Sequence, residues 1–387
     1  MATTVDRIAL EDLKLDSAKE EAIAPELRII EYQNERIVRS AFPFSYQAPD
    51  AMLAELRQRY RLDEVIASGQ TEFDQVLLLR EWVHTRWKHG WTRVPKPRNA
   101  LEILAAVEQG KDFNCGYFAI TLMQCLLSLG FVARNLSICK PESNWMSADE
   151  GNIGHSIVEF WSHQYHKWIL LDPDLNVHYE RDGIPLSVLE IHEAWVTRRW
   201  DEVSMVTGPT PFRVTDKLES GAATTFKNQD NQDAEFQIFG WHDVGDYYSH
   251  VVLPLYNTQH SSNEHVGSLE WIDSWTPPRI IAYNAPNGSQ FTSNRDDLYW
   301  SVDQVQINLA ADRTAWERRK ALLTVTLENS MPNLDRLLVR LDDEEWRETA
   351  PEFMWRLRPG KNQIMAKGVN SFGREGHVSR ILLRFSA

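Results

Sequence analysis

Three side chains in this sequence have the types and order to attack an amide. Cys115 precedes apolar residues at Ala119, Leu122, Met123, Leu126 and Leu127. That i, i+3, i+4, i+7, i+8 spacing predicts a helix buried along one stripe, and Gly130 ends it as a C-terminal glycine should. A cysteine opening such a helix meets free backbone N–H groups and the positive end of the dipole, which together stabilise a thiolate. A thiolate nucleophile also needs an imidazole, to form an ion pair and to protonate the departing amine. A third group must hold that imidazole in orientation. His155 lies 40 residues further on and opens the strand-like run Gly154-His-Ser-Ile-Val-Glu-Phe. Asp172, another 17 residues along, closes Trp168-Ile-Leu-Leu-Asp. Paired as a hairpin, these runs bring the start of one beside the end of the other, so His155 and Asp172 become neighbours. A lone cysteine at a helix start is more often a small core residue. The ordered set of three carries the chemical reading.

Asp112-Phe-Asn-Cys115-Gly-Tyr-Phe-Ala, Leu129-Gly-Phe-Val-Ala-Arg134, Gly154-His155 and Leu171-Asp172-Pro173 together resemble the transglutaminase-like superfamily, over roughly residues 70–180. The resemblance implies a papain-like core with Cys115 as nucleophile, His155 as base and acid, and Asp172 as the orienting residue. Gly130–Arg134 matches that family's Gly-Ile-Pro-Ala-Arg turn. Two positions depart from its pattern: Ser156 replaces the usual Ala, and Phe113-Asn114 replace a Gly-x pair before the cysteine. The second bears on the oxyanion pocket. One donor there should be the backbone N–H of Cys115, and Trp87, Trp91 and Asn114 are candidates for the other.

The elements that must position these groups read as an α+β fold. Helices are expected at Ala51–Arg61, Phe73–Trp87, Ala100–Gln109 and Leu186–Trp200, with strands at Ala133–Cys139, Ser156–Trp161 and Trp168–Leu171. A strand at Leu27-Arg-Ile-Ile-Glu-Tyr should lead into this domain. From Phe212 onward, short alternating runs separated by Pro, Gly, Asn and Asp predict all-β structure. The resulting division is an N-terminal extension over 1–45, a transglutaminase-like domain over 46–210 and a β-rich region over 211–387. Within the last, an immunoglobulin-like sandwich is expected at about 320–387, with Trp346, Trp355, Leu357, Ile364 and Phe385 in its core.

Other signals point to plainer roles. Cys125 and Cys139 sit among apolar neighbours and read as inert core. His163-x-x-His166 falls in a hairpin turn. Asp172-x-Asp174-x-Asn176 opens like a calcium loop, but Val177 and Gly183 stand where Gly and Glu are required, so Asp174 and Asn176 read as turn formers. Glu190 and His192 could line a substrate cleft, with a solvated helix surface as the plainer reading. Trp271, Trp275 and Trp300 could stack on sugars or extended peptides, with β-sandwich core as the plainer reading. No CxxC pair occurs, and neither a metal nor an organic cofactor is expected.

The 387 residues hold 41 Lys+Arg and 55 Asp+Glu, a net charge of −14, which argues against broad nucleic-acid or anionic-lipid binding. No apolar run reaches the ~18 residues of a membrane span. The first residues lack a basic segment followed by an apolar one, and three cysteines make no disulfide framework, so a cytoplasmic protein is expected. The expected chemistry is cysteine-dependent acyl transfer at a peptide, protein or other amide, preferably to water. Transfer to an amine is the enzymatic alternative, and a non-catalytic peptide- or glycan-binding module is the alternative of another class.

Overall fold

The helix that begins at Cys115 runs to Ser128 and is buried on every side from Phe118 onward. The expected single stripe understates it: a helix buried all round belongs at the centre of a domain, and its few polar side chains, Thr121, Gln124 and Ser128, are buried with the rest. The computed structural model describes the chain outside residues 1–21, 25–26, 91–96, 98, 140–153, 209–211, 215–222, 228–232, 238–244, 258–267, 273–278, 284–289, 293, 312–320 and 387. It divides into two units, Ser40–Tyr299 and the segments Met1–Arg39 with Trp300–Ala387.

In the first unit the cysteine helix packs against strands Ala133–Cys139 and Gly154–Ser162. These are inner strands of a seven-stranded antiparallel sheet, ordered 290–292, 279–283, 268–272, 250–254, 133–139, 154–162 and 167–171. The β-rich stretch up to residue 292 thus adds strands to the same sheet: Val251 pairs with Ile138. Alternation identifies such strands without saying which sheet they join, and the domain does not end near residue 210. Around the sheet stand helices Ala51–Arg59, Leu62–Ile66, Glu72–His84, Ala100–Val107 and Val188–Val196. The first was expected to run to Arg61 and ends at Arg59; the second was not expected, and Arg61, at φ 50°, separates the two. The last is shorter than expected, between the Ser187 capping box and Arg198 at φ 57°.

In the second unit, Leu27–Gln33 pairs with the final strand, Ser379–Phe385, instead of leading into the cysteine domain. It joins a six-stranded sheet whose other long members are Leu334–Leu341 and Gly360–Asn370. A three-stranded sheet of Val305–Ala311, Leu322–Asn329 and Glu352–Arg356 shares one apolar core with it, centred on Val325, Val339, Trp355, Ile364 and Ile381. Leu357 belongs to that core and Phe385 packs at its margin. Trp346 does not. It is half-buried, with the Lys367 ammonium 4.5 Å and the Arg340 guanidinium 5.4 Å from its ring centre, where a cation over the ring face favours the partly open position. No helix among the described residues is long and apolar enough to cross a membrane.

Candidate active site

The hairpin Gly154–Ser162/Lys167–Leu171 ends its ladder with Val158 opposite Leu171. The next residue, Asp172, therefore continues toward the end of the strand that holds His155. Their contact is short: His155 Nε2–H donates to Asp172 Oδ2 at 2.6 Å. Asp172 is 2% exposed, and its Oδ1 accepts the N–H groups of Asp174 at 3.0 Å and Leu175 at 2.9 Å. With Nε2 committed to Asp172, Nδ1 is left for the thiol. Burial would lower the pKa of His155, but the charge and hydrogen bond of Asp172, joined by Cys115, outweigh it and hold the imidazolium well above the ordinary range. Cys115 is partly exposed and is the first residue of its helix, so its N–H has no intrahelical partner.

Asp174 is closer to the chemistry than a turn former would be. The Cys115 sulfur, a His155 ring nitrogen and an Asp174 carboxylate oxygen all lie within 4.8 Å of one another. This trio is the one set among the described residues whose donors could hold a metal ion. Asp174 also accepts from His89 Nδ1, at 2.8 and 3.0 Å to its two oxygens. Burial pushes its carboxyl pKa up and the charge of Asp172 adds to that, while His155 and His89 pull it back. A second imidazole–carboxylate pair, with the His89 side chain 44% exposed, thus adjoins the first.

Helix Glu72–His84 holds the loop that carries both aspartates. The loop is pinched at its base by reciprocal bonds between Asp172 and Val177, at 2.9 and 3.0 Å, and Asn176 takes the left-handed conformation at φ 54°. Arg80 is fully buried; desolvation lowers its pKa to about 10, which leaves it a guanidinium at neutral pH. It donates to Asn176 Oδ1 at 3.0 Å and to His178 Nδ1 at 2.9 Å. His178 must then carry its proton on Nε2, which faces Glu180 at 3.0 Å. Glu81 accepts from the Asn176 side-chain amide, and His84 Nδ1 lies 3.2 and 3.1 Å from the carbonyls of Pro173 and Asp174.

Two further contacts fix the approach to the cysteine. Gly90 N–H bonds to the Phe113 carbonyl at 3.1 Å, and a Cβ at Gly90 would come within 2.3 Å of the Asp112 side chain, so a larger residue here would have to displace Asp112. Behind the histidine strand, Arg134 and Glu159 form a fully buried pair, at 3.0 and 2.6 Å, with the guanidinium 4.0 Å from the Trp168 ring centre. The other Glu159 oxygen accepts Tyr299 O–H at 2.6 Å and Val188 N–H at 2.8 Å.

Several candidates from the sequence have other work. Trp87 is not a free oxyanion donor: its indole N–H is given to the Phe113 carbonyl at 3.1 Å, and its ring stacks on Phe118. Asn114 Oδ1 accepts Gly116 N–H at 3.2 Å and caps the cysteine helix. Trp91 and Trp275 lie outside the described residues, as does the side chain of Trp271. Trp300 is buried, which removes it as a stacking surface. Glu190 closes the Ser187 capping box and pairs with Lys167 at 2.5 Å. His192 is buried and donates to the Tyr248 carbonyl at 2.6 Å, so it is neither solvated nor available to a substrate. Cys125 and Cys139 are buried, and burial pushes the Cys125 thiol far up. His163 stands in the hairpin turn and pairs with Glu72 at 2.8 Å.

A thiol at a helix start, facing an imidazole held by a buried carboxylate, is the arrangement of the papain-like cysteine enzymes, here on a mixed α/antiparallel-β scaffold. Residues 59–173 match the profile of the transglutaminase-like superfamily, and the chain carries a transglutaminase-like domain. Solved structures similar to it include a “Putative Cysteine Protease” from Cytophaga hutchinsonii, at 13% identity and TM-score 0.26 over 33% of this chain and 40% of that one. Another is red sea bream transglutaminase, at 12% identity and TM-score 0.26 over 86% of this chain and 73% of that one. No curated protein matches the chain.

Proposed function

We propose that this protein is a cysteine-dependent acyl-transfer enzyme acting on a peptide, protein or other carboxamide, and that water is its preferred acceptor. The Cys115 thiolate attacks the carbonyl carbon, and the N–H of Cys115 supports the developing oxyanion. The His155 imidazolium gives its proton to the departing amine, leaving a thioester on Cys115. Neutral His155 then takes a proton from water as it attacks the thioester, and thiol and acid product are released. The observation that carries the reading is the 2.6 Å His155–Asp172 contact with the thiol inside the same cluster. The two-sheet unit is read as immunoglobulin-like, and the few cysteines suit a reducing cytoplasm.

The test has two parts. Iodoacetamide should alkylate wild-type Cys115 well at pH 6, and His155→Ala should slow this by about 10²-fold, the thiolate fraction lost by a free thiol of pKa ~8.5. Peptide amides incubated with the protein should then gain the mass of water. A product joined to an added amine would establish transfer instead. An unreactive Cys115 with unchanged substrate would sink the enzyme reading in favour of a binding module.

A further inference from the structure

We propose that Cys115, His155 and Asp174 form a zinc site whose occupation silences the thiol. This goes beyond the acyl chemistry, because binding needs the three side chains and not turnover. The donors are a sulfur, a ring nitrogen and a carboxylate oxygen, all within 4.8 Å of one another. Zinc bonds of ~2.0–2.3 Å at tetrahedral angles set donors about 3.5 Å apart, so closing the site takes side-chain shifts of roughly 1 Å. Three protein ligands with one position left for water is an established zinc pattern, and a thiolate donor disfavours magnesium and calcium.

A thiol–imidazole pair alone offers two ligands. The third comes from the aspartate loop, which Arg80, Glu81 and His84 hold in place. The outer partners that metal ligands require are already present. Asp172 fixes the His155 tautomer from Nε2, and His89 bonds the Asp174 carboxylate at 2.8 Å. In the sequence Cys115 and His155 stand out while Asp174 reads as a turn former, because only the folded loop brings its carboxylate to them. On binding, Zn–S, Zn–N and Zn–O bonds form and the Cys–His pair releases its one shared proton. No oxidation occurs, and the sulfur lone pair is no longer free to attack a carbonyl.

Cobalt(II) and zinc(II) titrations of the full chain test the site. Cobalt should bind one per chain with an intense near-ultraviolet sulfur-to-metal absorption that Cys115→Ser abolishes; Cys125 and Cys139 are fully buried and supply no substitute. Asp174→Asn should weaken zinc binding by roughly tenfold or more, and so should His89→Ala, a change at a partly exposed side chain with little demand on folding. One equivalent of zinc should stop alkylation of Cys115, and a chelator should restore it. Absorption that survives Cys115→Ser, or zinc affinity unchanged in both Asp174→Asn and His89→Ala, would overturn the proposal. Alkylation without metal reports the nucleophile separately, so loss of the zinc site and loss of the enzyme reading are distinguishable.

Discussion

The two units bury polar groups on different terms. The core of the two-sheet unit is built from Leu, Val, Ile, Ala and Trp, and most polar residues buried around it bond the backbone: Asn362 bonds Arg358 and Gly360, Asn370 bonds Phe372 and Arg374, and Asn34 bonds Ile307. Among the described residues, the charged side chains buried there are Asp303 and Lys367, the latter paired with Glu375. The cysteine unit instead buries Arg80, Glu81, Arg134, Glu159, Asp172, Asn176 and His178. Each buried charge costs several kcal/mol in desolvation, so such groups persist only when their partners are in place. An apolar core holds strands together by volume and tolerates small shifts. A hydrogen-bonded network fixes direction. Acyl transfer needs direction, since an imidazole displaced by 1 Å no longer meets its thiol.

Breaking the network at its reacting end should have the largest effect. Cys115→Ser and His155→Ala should each lower amide turnover by ~10⁴-fold or more, and Asp172→Asn by ~10³–10⁴-fold, measured as initial rates on a substrate identified by mass gain. Arg134→Ala strands the buried Glu159 carboxylate and should cost about 3–5 kcal/mol in urea unfolding. Replacing both partners, as in Arg134→Met with Glu159→Leu, should recover much of that loss. Failure to recover would mean that the pair sets geometry and not only charge balance. In the apolar unit, Ile364→Ala should cost about 2–4 kcal/mol by leaving a cavity, with the alkylation rate of folded Cys115 unchanged.

The comparison also sharpens through pH. The folded pKa of His155 lies above its ordinary value, so the folded state binds that proton more tightly than the unfolded chain does. Its contribution to stability is complete below about pH 6.5, the unfolded value, and is lost as pH rises through the raised folded value. The stability difference between wild type and His155→Ala should therefore shrink from pH 6 upward. Ile364→Ala, which removes no ionisable group, should lose the same amount at every pH. A flat difference for His155→Ala would deny the ion pair.

Legibility in the sequence followed the same divide. The cysteine helix, the histidine strand and the strands of the apolar core were readable because period and alternation report burial directly. Arg80 was readable and missed: it falls on the stripe Phe73, Val76, Arg80, Val83, and a charge on a buried stripe signals a network. His89 with Asp174 was not readable, since 85 residues separate them and only the folded loop joins them. Nor could alternation tell that Leu27–Gln33 pairs with the last strand, or that His250–Pro254 extends the cysteine domain's sheet. Strand pairing depends on partners far along the chain.

The smallest expected effect lies at the helix start, where stability and chemistry can be separated. Asn114 Oδ1 accepts Gly116 N–H, so Asn114→Ala removes a cap and should cost about 1 kcal/mol. Asp at this position would keep the acceptor and restore stability, but it carries no amide N–H. If Asn114 only caps, Asn114→Asp should retain kcat within a few-fold, since a cap stabilises substrate-bound and transition states alike. If its amide also donates to the oxyanion, both variants should lose ~10²–10³-fold in kcat with little change in KM. With Trp87 committed to Phe113, a result of the second kind would assign the missing donor, and one of the first kind would direct the search to Trp91.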